Sequence, residues 1–150
     1  MADDVLVVAQ PSGTVTLVFT DVEGSTRLLR DLGRDAYLAA LDGQRRIVRA
    51  ACARHGGYEV DTAGDGFFCR FDGPGRAIAC ARTIIESTRG LDLDVRAGVH
   101  TGECEVIGEK IAGLAVNVGS RIAGTALPGE VLVSSTVRDL VAGSTFAFEE

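Results

Sequence analysis

No apolar run in this 150-residue chain approaches the roughly 20 residues needed to span a bilayer, so no membrane insertion is expected. The longest early run, Val5-Leu6-Val7-Val8, is short. It is preceded by Asp3 and Asp4, where a secretory leader carries positive charge. Clustered basic residues are also missing. The 15 lysines and arginines are scattered among 21 acidic residues, giving a net charge of −6. That balance argues against a nucleic-acid surface and against a polybasic membrane patch. Cys52, Cys69, Cys80 and Cys104 lack metal-type spacing. Each sits among apolar neighbours and reads as a small buried hydrophobe, which suits a reducing cytoplasm. No internal repeat or low-complexity tract interrupts the chain. The length fits one domain with a real core.

Residues 1–13 form a lead-in ending at Pro11-Ser12-Gly13. A strand is expected near 14–20, then helix over about 24–32 and 35–55. Leu38, Leu41, Arg45, Val48 and Cys52 recur there at helical spacing. His55-Gly56-Gly57 ends that helix, with His55 read as a cap residue and not a ligand. A hairpin follows at about 57–71 and a helix at about 75–89, whose buried face carries Ile78, Ala81, Ile84 and Ile85. Leu91, Leu93, Val95, Ala97 and Val99 alternate as in a strand. Thr101-Gly102 is expected to turn that strand into a short return strand at 104–107. A glycine-rich helix spans about 111–123, with Asn117 and Arg121 on one face. A strand at 131–133, a helix at 135–141 and a strand fragment at 145–148 complete the chain. The order strand–helix–strand–strand–helix–strand predicts an α+β domain with a ferredoxin-like βαββαβ sheet and helices on one face.

Two stretches carry chemistry. Val15 to Thr20 is an apolar, β-branched run that delivers Asp21 to its C-terminal end and turns at once into Gly24-Ser25-Thr26. Helix-forming residues follow, so backbone N–H groups at the helix start can attract an anion beside a carboxylate. Asp61-Thr62-Ala63-Gly64-Asp65-Gly66-Phe67-Phe68 reads as strand, tight turn, strand, with Asp65 at the tip. If that hairpin lies beside the first strand, Asp65 meets Asp21, and the two carboxylates need a cation between them. A hard divalent ion such as Mg²⁺ suits oxygen ligands and bridges phosphates. Taken alone, each stretch also fits a plainer reading: a capped helix, and a hairpin with a solvated aspartate.

Phe19-Thr20-Asp21-Val22-Glu23-Gly24-Ser25-Thr26, Thr62-Ala63-Gly64-Asp65-Gly66-Phe67, His100-Thr101-Gly102-Glu103 and Asn117-Val118-Gly119-Ser120-Arg121 together resemble the ordered motifs of the class III nucleotidyl cyclase catalytic domain, bacterial branch. The resemblance runs from about Val15 to the end of the chain and makes 14–150 the cyclase homology domain. It implies conversion of a nucleoside triphosphate into a 3′,5′-cyclic nucleotide and pyrophosphate, with two Mg²⁺ or Mn²⁺ ions per site. By resemblance, Asp21, Asp65 and the Val22 carbonyl are metal ligands, and Gly24, Ser25 and Thr26 hold the triphosphate. Asn117 orients the ribose and Arg121 stabilises the transition state. The resemblance also implies a head-to-tail homodimer, or pairing with a related domain, because the metal pair and the Asn117/Arg121 pair come from different subunits.

The departures from the family's pattern are specific. Adenylyl cyclases of the family usually carry Lys at the position of Asp61 and Asp at the position of Lys110, so the charges here are exchanged. An acceptor at 61 and a donor at 110 complement guanine, which offers N1–H and N2–H donors and the O6 acceptor. Guanine preference, unusual adenine use, and a pocket closed by an Asp61–Lys110 bond all remain open. The family also continues past Phe148 into strands bearing a phosphate-binding lysine, which this sequence does not contain. A cyclase-like regulatory domain that binds nucleotide or a partner without turnover is therefore the alternative to an enzyme.

Overall fold

The computed structural model describes residues 12–63, 66–91, 93–107 and 110–150. Its elements are β1 (Ser12–Val22), α1 (Ser25–Leu32), α2 (Arg34–Arg54), β2 (Tyr58–Ala63), β3 (Gly66–Phe71), α3 (Pro74–Thr88), β4 (Val95–Ile107), β5 (Lys110–Ala112), α4 (Leu114–Thr125), β6 (Val131–Val133) and α5 (Ser135–Leu140). The described strands form a six-stranded sheet in the order β2-β3-β1-β4-β5, with β6 parallel to β4. β1 pairs antiparallel with both β3 and β4. The βαββαβ core expected from the sequence is therefore present in one mixed α+β domain.

Period-two alternation along β1 separates two cores. Val18 and Val22 point to one face, where Val48 and Cys52 of α2, Ile84 of α3 and Val137 of α5 meet them. Leu17 and Phe19 point to the other face, against Ala115 and Ala123 of α4. The expectation that the helices share one face thus holds for α2, α3 and α5, while α4 covers the opposite face. The reason is steric. A Cβ on Gly98 of β4 would lie 2.4 Å from the Ala123 backbone N, and one on Gly119 of α4 would lie 2.5 Å from the Phe19 ring. Glycine at both positions lets helix and sheet approach to backbone contact. Gly119, one of the glycines that made α4 look a poor helix, is what seats it.

A second correction concerns β4. Thr101-Gly102 does not turn; β4 runs unbroken from Val95 to Ile107. β1 is long enough to hold it, with Thr101 opposite Thr16 and Gly102 opposite Val15. The buried Thr16 and Thr101 hydroxyls hydrogen-bond at 2.7 Å. Gly102 is there for proximity, since its Cβ would meet the Ala115 Cβ at 2.8 Å. The return strand is β5, at Lys110–Ala112. Residues 145–148, expected as a strand fragment, adopt no regular structure. All four cysteines are buried and free, as expected. Burial pushes the Cys80 thiol up to about 12.

Candidate active site

β1 ends at Val22, and the Glu23 N–H donates to the Asp94 carbonyl at 2.9 Å, fixing the chain as it leaves the sheet. Gly24 turns it in a left-handed conformation (φ 68°) that strains any residue with a Cβ. α1 starts at Ser25, and its first intrahelical bond runs from the Leu28 N–H to the Gly24 carbonyl. No side chain caps this end. The N–H groups of Gly24 to Arg27 therefore have no intrahelical partner, three to six residues after Asp21, where an anion is favoured. The Arg27 guanidinium lies over Gly24, with Nη2 at 3.6 Å from where a Cβ would sit. It adds a positive charge that sequence reasoning did not assign.

Asp21 stands directly opposite Arg96 in the β1–β4 ladder. Arg96 donates to Asp21 Oδ2 from Nη2 at 2.8 Å and from Nε at 3.3 Å. Its Nη1 donates to Glu23 Oε1 at 3.3 Å and to the Ala126 carbonyl at 3.4 Å. The arginine side chain is 16% exposed and the Asp21 side chain 33%. Only Oδ2 of Asp21 takes hydrogen bonds from the described residues, so Oδ1 keeps its lone pairs at a partly open position. A carboxylate oxygen at a strand end is the hard donor that Mg²⁺ or Mn²⁺ requires, and Asp21 fits that role. Arg96 went unnoticed in the sequence. The one signal in the sequence was an arginine between Val95 and Ala97 in an apolar stretch; its register with Asp21 is visible only in the structure.

Asp65 lies outside the described residues. The strands on either side of it end at Ala63 and Gly66, and β3 pairs with β1 up to Thr20 opposite Phe67, one residue short of Asp21. Asp61 lies on β2 opposite Phe68, and Lys110 on β5 opposite Ile107. β2 and β5 are four places apart in the sheet order, yet they touch, and Val60 and Ile111 belong to the same apolar cluster. The fold thus brings together the two strands that carry the exchanged charges.

Asn117 and Arg121 sit on the exposed side of α4, away from the buried Ala115, Gly119 and Ala123. Their side chains make no hydrogen bond or ion pair with the described residues. The first residue of the His100 motif is tied to the start of α5. His100 Nδ1 bonds Ser134 Oγ at 2.9 Å, and Ser134 caps α5 by accepting from the Val137 N–H. His55 is the C-cap of α2, and its Nε2 bonds Thr83 Oγ1 at 2.9 Å. A cleft of about 520 Å³ between β6 and the C-terminal residues carries none of the expected site residues.

The adenylate and guanylate cyclase catalytic domain family matches residues 7–150, and the chain belongs to that family. It is 35% identical over 137 residues to an uncharacterized protein of Mycobacterium tuberculosis, covering 89% of this chain and 47% of that one. It is 32% identical over 159 residues to an adenylate cyclase of Lachancea kluyveri, covering 85% of this chain and 9% of the yeast protein. The chain thus spans about half the length, or less, of these relatives. Among solved structures, the guanylyl cyclase Cya2 superposes with a TM-score of 0.82 at 22% identity, over 94% of this chain and 84% of that one. The catalytic core of a rhodopsin-guanylyl cyclase superposes with a TM-score of 0.79 at 24% identity, over 88% and 83%. At these identities the likeness is one of fold. No described helix is long and apolar enough to cross a membrane.

Proposed function

We propose that this chain is the catalytic domain of a purine nucleotide cyclase acting on a nucleoside triphosphate with Mg²⁺ or Mn²⁺. The observation that carries the proposal is the end of β1: a carboxylate with one oxygen unpaired among the described residues, followed at once by an uncapped helix N-terminus, in a chain of the cyclase family. Asp21, Asp65 and the Val22 carbonyl would hold two cations. When bound, these favour ionisation of the ribose 3′-hydroxyl and neutralise charge on the leaving pyrophosphate. The N–H groups of Gly24, Ser25 and Thr26 receive the triphosphate, with Arg27 beside them. The 3′-oxygen attacks the α-phosphorus, forming the cyclic ester as the bond to pyrophosphate breaks. Asn117 orients the ribose for this in-line geometry, and Arg121 stabilises the charge that grows on the α-phosphate oxygens.

The outward presentation of Asn117 and Arg121 supports their service to a second copy of the chain in a head-to-tail dimer. Each site would then combine Asp21 of one subunit with Arg121 of the other. Base choice is assigned to Asp61 and Lys110, with guanine the better complement. A second reading has one observation in its favour. The strands bearing Asp61 and Lys110 lie close together, which favours a pocket closed by an Asp61–Lys110 bond and a binding module without turnover. Incubating the purified chain with ATP or GTP and Mn²⁺, and measuring cyclic product, separates the two. Cyclic GMP is the expected product. Cyclic AMP alone would remove the base assignment, and no product from a folded dimer would leave the binding module. The double substitution Asp61→Lys with Lys110→Asp should shift preference toward ATP; an unchanged preference would place those residues outside the pocket.

A further inference from the structure

We propose that Arg96 is a positioning residue for Asp21 as a metal ligand: it fixes the carboxylate through Oδ2 and leaves Oδ1, which takes no hydrogen bond from the described residues, to the cation. The inference rests on the cyclase reading of Asp21 and adds a residue to it. The geometry is directional. Two N–H groups of one guanidinium converge on a single oxygen of Asp21, at 2.8 and 3.3 Å. The third nitrogen reaches Glu23 Oε1 and the Ala126 carbonyl. The fork is thus held at three points: the last turn of the β1 ladder, the residue after β1, and the chain leaving α4. An aspartate free to rotate would lose side-chain freedom on binding an ion; here much of that ordering is already done. Lysine cannot reproduce it, because an ammonium is a single point charge and not a planar fork. A largely buried guanidinium also has to keep its partners, so the pair should persist when the cation arrives.

A competing role can be separated from this one. If Arg96 merely stood in for the cation, it would be displaced on metal binding, and removing it would tighten the site. Mn²⁺ binding to the 150-residue chain, followed by the electron paramagnetic resonance of free Mn²⁺, distinguishes the two. Partners that orient metal ligands typically change affinity by about 10–100-fold. Arg96→Gln should therefore weaken Mn²⁺ binding about tenfold or more, and Arg96→Lys by less, both with native circular dichroism. Asp21→Asn serves as the control for the site. Unchanged or tighter binding by Arg96→Gln, with Asp21→Asn weakened, overturns the positioning role and leaves the cyclase reading intact. No Mn²⁺ binding by the unmodified chain overturns both. Should the variants fail to fold, the ¹⁵N–¹H signal of Arg96 Nε in the unmodified protein decides. It should keep its hydrogen-bonded shift and slow solvent exchange when Mg²⁺ saturates the site. A move to the free-guanidinium position contradicts the proposal.

Discussion

Single residues carry both the chemistry and the closest packing. Asp21 was legible as a candidate ligand only in combination, since an apolar strand ending in an acid and turning into Gly-Ser-Thr also fits a plain capped helix until the other motifs join it. Asp21→Asn keeps the shape of the side chain but removes the charge a hard cation requires. It should lower Mn²⁺-dependent product formation by at least about a hundredfold, as measured by initial rates, with thermal unfolding little changed. Gly119 makes a different demand. Its missing Cβ leaves room for Phe19, which stacks on Phe68 with ring centroids 4.7 Å apart. Gly119→Ala should destabilise the fold by about 1–3 kcal/mol in urea titration, the usual cost of overpacking a tight core. An unchanged midpoint would mean that α4 can lift from the sheet without loss. Arg96 could not have been recognised in this way. Its role depends on facing Asp21 across a ladder formed by residues 75 positions apart, and a single sequence does not reveal register.

At the scale of elements, the strongly periodic helices and apolar strands were legible, and the errors occurred where one residue served two elements. Gly102 looks like a turn when read along the chain. In the sheet it is a ladder residue, and it lacks a Cβ because α4 crosses above it. Gly119 lowered the apparent helix propensity of α4 for the same reason, a tertiary demand overriding a local one. Capping behaved more simply. Ser134→Ala removes the acceptor for the Val137 N–H at the start of α5 and the partner of His100. It should cost about 1 kcal/mol by chemical denaturation. The two histidines give the fold a pH dependence of defined sign. Burial lowers the pKa of both His55 and His100 from 6.5, with Arg54 adding to the effect at His55. Their folded-state values lie below the unfolded ones, so the folded state prefers the neutral rings. That contribution is complete above about 6.5 and is lost as pH falls from there through the folded values. Urea midpoints should therefore decline below pH 6.5. Replacing both histidines by glutamine should flatten that part of the profile, and an unchanged slope would assign it to carboxylates.

At the scale of the molecule, the family and the βαββαβ core were legible because four motifs in order constrain a chain more than any one of them. The proposed division of labour between subunits rests on the resemblance. The structure adds that Asn117 and Arg121 face away from their own chain, while Asp21 lies at the sheet end against Arg96. A site assembled from two chains makes a quantitative demand that no single-chain enzyme meets. Asp21→Asn and Arg121→Ala should each lose nearly all activity as pure proteins, the arginine change by about 10²–10³-fold. When the two inactive proteins are mixed in equal amounts and allowed to exchange subunits, half of the dimers become mixed. In each mixed dimer one site carries both substitutions and the other carries neither, by the symmetry of a twofold pair. Cyclic nucleotide formation by that mixture is the most direct measurement of the account. Recovery to about a quarter of the unmodified rate is the predicted result. A mixture as inactive as its two components, with subunit exchange verified, would contradict a site shared between two copies of this chain.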